Sequence, residues 1–108
     1  MKIIVDRDSV SAGDDMYGHE ETFDVCESMT VADFFNFVMS NGYLAHTIGN
    51  DVAWILQNQI GKIGAYYTKT GEVTHPEVKL KDKIDETNGD IHFDVRYYSN
   101  PELARKQN

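Results

Sequence analysis

Few side chains in this sequence combine the type and spacing that chemistry requires, so each candidate is weighed on its own. Cys26 is the lone cysteine. A thiol becomes a nucleophile when a base or a cation stabilises its thiolate. Here Asp24 and Glu27 flank it and oppose that charge, so an incidental thiol is the simpler account. The four histidines, His19, His46, His75 and His92, are far apart, and no two share the three- or four-residue interval of a helical metal site. Uncoordinated histidines are the expectation, with no metal and no cofactor.

Carboxylates are the richer set. Asp6-x-Asp8 and Asp14-Asp15 have the clustering that a hard cation favours. Position 10 is valine where a helix-loop-helix calcium loop places a ligand, and the glycine and distal glutamate of that loop are missing. A solvated acidic loop is therefore favoured over a divalent site. Glu20 and Glu21 alternate faces on a strand and cannot converge on one substrate. Gly61 and Gly64 are too few for a phosphate cradle, and no Gly-x-Ser-x-Gly is present. Nothing here builds a catalytic centre.

Aromatic residues point instead to binding. Phe37 lies about 120° from Val31 on a helical wheel, at the border of the apolar stripe. Tyr66-Tyr67 and Tyr97-Tyr98 each put one ring on either face of a strand. Phe37 and Tyr67 are the candidate anchors, and Asp14, Asp15, Glu20 and Glu21 the candidate steering charges. The competing account is that these rings cover the rim of a small core.

The element that must position them is a helix from Thr30 to Gly42. Thr30 caps it, Asp33 completes a capping box, and Val31, Phe34, Phe35 and Val38 form one stripe with Met39 at its margin. Gly42 supplies the left-handed exit. Strand periodicity surrounds it. Residues 2 to 10 alternate with Ile3 and Val5 on one face, and 19 to 26 pair with them as a hairpin, Phe23 and Val25 facing the core. Residues 11 to 18 form a turn-rich loop.

Val52 to Ile60 fits strand spacing through Val52, Trp54, Leu56 and Ile60, and helical spacing through Val52, Ile55, Leu56 and Ile60. The strand is preferred for its β-branched and aromatic content, with Gly61-Lys62 as a tight turn into a strand from Ile63 to Lys69. Thr70-Gly71 reads as another hairpin turn. His75-Pro76 breaks the pattern, Val78 and Leu80 anchor a short extended piece, and residues 85 to 90 turn into the strongest strand, 91 to 98. Asn100 and Pro101 start a short helix or frayed tail over 99 to 108. Residues 1 to 98 form one α+β domain, a helix packed on a mixed or mainly antiparallel sheet.

At 108 residues the chain can bury a core without a metal or disulfide. The net charge of −8 sits wholly in residues 1 to 51, which hold ten acids against Lys2 and Arg7; residues 52 to 108 hold eight of each sign. That field repels nucleic acid and anionic membranes and favours a basic protein partner. One cysteine, charges early in the chain and no long apolar run make the cytoplasm the expected compartment.

Met1-Lys2-Ile3-Ile4-Val5, then Glu21-Thr22-Phe23-Asp24-Val25 running into Met29-Thr30-Val31-Ala32-Asp33, then Leu80-Lys81-Asp82-Lys83-Ile84 before a last strand, resembles the ubiquitin-like β-grasp across nearly the whole chain. Val52 to Thr74 is longer than its counterpart there and implies an extra or extended hairpin. The chain closes on Arg105-Lys106-Gln107-Asn108 in place of Gly-Gly, so the resemblance implies neither conjugation nor sulfur carriage, and one cysteine does not hold the iron–sulfur cluster of β-grasp ferredoxins. Noncovalent protein binding is what it implies. The expected function is a small acidic binding protein, in a sharper form an inhibitor or immunity-type protein. The alternatives are a small enzyme or cation-dependent domain using Asp6 to Asp15, and a structural subunit of a larger assembly.

Overall fold

Helix α1, Val31–Ser40, is capped as its sequence requires. In the computed structural model, which describes residues 1–8, 20–44, 51–84 and 91–106, the Thr30 hydroxyl accepts from the Asp33 N–H at 3.2 Å. The Asp33 carboxylate accepts from the Thr30 N–H at 3.2 Å, which closes a reciprocal box. Gly42 leaves the helix at φ 76°, where a side chain would be strained. Val31, Phe34, Phe35 and Val38 are buried, and each large apolar side chain removed from water contributes about 1.5–3 kcal/mol.

Six strands lie beneath it: β1 Lys2–Arg7, β2 Glu20–Asp24, β3 Ala53–Gln57, β4 Lys62–Tyr67, β5 Glu72–Val73 and β6 His92–Tyr98. Their order across the sheet is β2-β1-β6-β3-β4-β5. β1 and β6 run parallel and the remaining neighbours antiparallel, so the sheet is mixed. Period-two alternation sends Ile3, Val5, Trp54, Leu56, Phe93 and Val95 to the face under α1. The start of α1 sits so close to β4 that a Cβ on Gly64 would lie 2.7 Å from Val31 Cγ1 and 2.9 Å from the Thr74 carbonyl oxygen. The other end leans on β1 and β2, where Phe37 meets Phe23 edge-on at 5.1 Å.

The opposite face is half covered. Helix α2, Pro101–Arg105, has Asn100 as its N-cap, with Oδ1 accepting from the Glu102 N–H at 3.0 Å, and proline in its first turn. Its Ala104 joins Ala53, Ile55, Ala65 and Tyr67 in a second buried cluster. Small residues on both sides let this short helix lie against the strands.

Several expected boundaries differ. Of the first strand, Lys2–Arg7 is observed; 9 and 10, the loop 11 to 18, His19 and the turn 85 to 90 lie outside the described residues. The turn between β3 and β4 spans Asn58 to Gly61 and not Gly61-Lys62, because Asn58 Oδ1 accepts from the N–H groups of Ile60 and Gly61 at 3.0 and 3.3 Å. Ile60 is thereby removed from strand spacing and left 73% exposed. Of the piece anchored by Val78 and Leu80, Lys79 is extended and bridges Thr30, but Leu80–Lys83 is a 3₁₀ turn. Met39, at the margin of the stripe, is 39% exposed.

Candidate protein-binding surface

Strand β2 forms one edge of the sheet, and its register with β1 concentrates negative charge. Asp6 lies opposite Glu20 in the β1–β2 pairing and opposite Asp94 in the β1–β6 pairing. All three sit on the face turned away from α1, because Val5, Phe93 and Val95 occupy the other. Three carboxylates therefore run in one row across three adjacent strands. Like charges directly opposite are unfavourable in a sheet.

The next row is neutralised from within. Arg96 Nη1 meets Asp8 Oδ1 at 2.8 Å and Nη2 meets Asp94 Oδ2 at 3.5 Å. The second Asp8 oxygen accepts from the Tyr97 N–H at 2.9 Å. The hydrogen bond to Asp8 pushes the Arg96 pKa up against the opposing effect of burial. His92 Nε2 stands 3.7 Å from Asp94 Oδ1. Among the described residues, no ion pair reaches Asp6 or Glu20. Glu20 is exposed and Asp6 half-buried, and the Asp6 charge acts at longer range on Arg96.

On the α1 side the same edge carries Glu21, opposite Val5. Phe23 packs edge-on to Phe37 and, at 5.4 Å, to Tyr43. The Tyr43 hydroxyl donates to the Val5 carbonyl oxygen at 2.9 Å, and burial followed by the charge of Asp6 raises its pKa far above the ordinary tyrosine value. Phe37 is half-buried. Glu21 and this aromatic cluster thus lie along one edge, on the face opposite the Glu20–Asp6–Asp94 row.

The expected binding residues separate when placed on this frame. Glu20 and Glu21 are exposed on β2 and project to opposite faces. Phe37 lies on the edge they define. Asp14 and Asp15 lie outside the described residues, as does His46. Tyr67 does not serve as an exposed anchor: it is 3% exposed, beneath α2, with the Arg105 guanidinium 4.0 Å above its ring. Arg105 is held there by Glu72 at 2.9 Å, and burial raises the Tyr67 pKa. Cys26 is exposed, and among the described residues no group of three or more histidine, cysteine or acidic side chains could hold a metal ion. Among those residues, no helix is long and apolar enough to cross a membrane.

Asp6 and Asp94 were missed as surface residues. Alternation alone places each on the outer face of its own strand, but only the pairing register shows that they join Glu20 in a single row. Set against known proteins, the chain matches no family model, and neither a curated protein nor a solved structure is significantly similar to it.

Proposed function

We propose that this chain is a small, non-catalytic binding protein of β-grasp type that engages a basic surface of a protein partner through the β2 edge. The strand order, the parallel β1–β6 pair and the helix between β2 and β3 support the β-grasp reading, with β5 as the extra strand. The observation that carries the function is the row of Glu20, Asp6 and Asp94, where among the described residues no ion pair reaches Glu20 or Asp6 and Arg96 acts on Asp6 only at longer range. A basic partner relieves that repulsion, and Phe37, on the other face of the same edge beside Glu21, supplies apolar area. An inhibitor that sets carboxylates where phosphates would lie is the sharper form of the same reading, and the cytoplasm is the proposed compartment.

The test is affinity capture of the tagged chain from its native lysate, beside a variant carrying Asp6→Asn, Glu20→Gln and Glu21→Gln. A basic protein held by the wild type in about 0.05 M salt, released near 0.5 M and not held by the variant supports the proposal. Equal capture by the variant overturns it.

A further inference from the structure

Strand β2 carries a row of backbone groups that the sheet does not use. Met1 and Val25 exchange two bonds: the Val25 N–H donates to the Met1 carbonyl oxygen at 2.8 Å, and the N-terminal ammonium donates to the Val25 carbonyl oxygen at 3.0 Å. Bonded and non-bonded pairs alternate along an antiparallel ladder, so Phe23 and Glu21 turn their N–H and C=O groups to β1. Asp24, Thr22 and Glu20 turn theirs outward. Among the described residues no strand lies beyond them. The opposite edge offers less: β5 is two residues long, and Glu72 is engaged by Arg105 at its carboxylate and by the Thr70 hydroxyl at its N–H.

The side chains of β2 select what can pair there. Glu20, Glu21, Thr22 and Asp24 are exposed. Glu20 and Glu21 project to opposite faces, and the consecutive side chains of an extended segment alternate in the same way, so one strand meets both. A second copy of the same edge is disfavoured, because two β2 strands paired about Thr22 set the Glu20 of each opposite the Asp24 of the other. Asp24 already has the N-terminal ammonium 3.3 Å from its Oδ1, which leaves Glu20 and Glu21 as the carboxylates without a cation among the described residues.

We propose that the β2 edge takes up an extended segment of its protein partner as an added antiparallel strand, and that this segment carries two consecutive basic residues, one opposite Glu21 and the next opposite Glu20. The residue opposite Glu20 extends the Asp94, Asp6 and Glu20 row onto a further strand, about 4.8 Å from Glu20 and two such spacings from Asp6. The residue opposite Glu21 lies on the α1 face. Two positions before it, an apolar side chain opposite Phe23 extends the edge-on cluster of Phe23 with Phe37 and Tyr43. Main-chain bonds to Glu20, Thr22 and Asp24 supply affinity, and the alternating side chains supply selection. This inference rests on the reading of the β2 edge as the binding surface and names the form in which the partner presents its charge.

The test is an NMR titration of the full chain with an end-blocked peptide centred on Thr-Val-Thr-Arg-Lys, which aligns valine with Phe23, arginine with Glu21 and lysine with Glu20. Two further peptides each carry one methylated backbone nitrogen, at the second threonine, whose N–H faces β2, or at the valine, whose N–H faces away from it. The expected result is binding by the unmodified and valine-methylated peptides within about threefold of each other, and by the threonine-methylated peptide at least about tenfold more weakly. In the free protein the N–H groups of Thr22 and Asp24 exchange with solvent faster than those of Glu21 and Phe23, and the unmodified peptide slows them. Binding that is indifferent to which nitrogen is methylated, or that leaves the Thr22 and Asp24 exchange unchanged, overturns the added strand but keeps an acidic surface that holds a basic ligand. Absence of binding by all three peptides also overturns the added strand, and capture of a basic protein from lysate reads the proposed function separately.

Discussion

Glu20→Gln removes one charge from the carboxylate row and should make the protein more stable while weakening its binding. Side chains directly opposite on antiparallel strands have Cβ atoms about 5 Å apart. At that separation two unit charges in a water-like dielectric repel by about 0.8 kcal/mol before screening. Salt at about 0.15 M, with a Debye length of about 8 Å, reduces this to about 0.4 kcal/mol, and 1 M salt to about 0.2 kcal/mol. Urea denaturation followed by circular dichroism reads the gain as a midpoint about 0.2–0.4 M higher at the lower salt, for a slope of about 1–2 kcal/mol/M. Glu21→Gln is the control. It alters the adjacent exposed residue of the same edge, but its cross-strand neighbour is Val5, so its midpoint should stay within about 0.1 M of wild type on the same slope. A loss of stability in Glu20→Gln, or a gain that persists undiminished in 1 M salt, refutes the assignment of repulsion across the β1–β2 pair.

Three further outcomes test the frame behind that edge. Gly64→Ala forces a Cβ to within 2.7 Å of Val31 and 2.9 Å of a carbonyl oxygen, and should cost about 1–3 kcal/mol in chemical denaturation. Phe35→Ala, at a buried position of the helix stripe, should cost about 3–5 kcal/mol; a loss below 1 kcal/mol means the stripe is not core. Tyr43 has a folded-state pKa raised by burial, so its protonated form carries stability that is complete below the ordinary tyrosine value and is lost as pH rises past it. Unfolding titrations above pH about 10 should show stability falling by up to about 1.4 kcal/mol per pH unit from this residue, and Tyr43→Phe should flatten that slope; an unchanged slope refutes the role.

The helix was legible because its signals are local. Thr30, Asp33 and Gly42 act within a few residues of one another, and the structure places each in the role its chemistry suggests. The alternation of Trp54 and Leu56 identified β3 over the competing helical spacing, and residues 91 to 98 read as a strand for the same reason. Tyr66 and Tyr67 do divide between the two faces, yet the sequence does not say which face is covered. That depends on α2 folding back across β3 and β4, a contact between positions some forty residues apart, such as Lys62 Nζ with the Ala104 carbonyl oxygen at 3.3 Å. Ile60 was misplaced because an asparagine turn and an apolar residue at strand spacing compete, and the two N–H groups received by Asn58 decide in favour of the turn.

The distribution of bases on the outer face bears on whether the acidic row is an accident of composition. Just beyond β1, Asp8 shares Arg96 with Asp94, and the guanidinium bridges both carboxylates. A backbone N–H satisfies what remains of Asp8. Compensation was therefore within reach of this sheet, yet among the described residues Arg96 acts on Asp6 only at longer range and no ion pair reaches Glu20. Edge strands commonly carry charge to discourage unwanted pairing, and Glu20 alone would serve that purpose. Asp6 is not on the edge: it sits on an interior strand, flanked on both sides by acids, where a neutral side chain would protect the edge equally well and fold at lower cost. Protection of the edge thus accounts for Glu20 but not for Asp6. The basic partner proposed here would account for both.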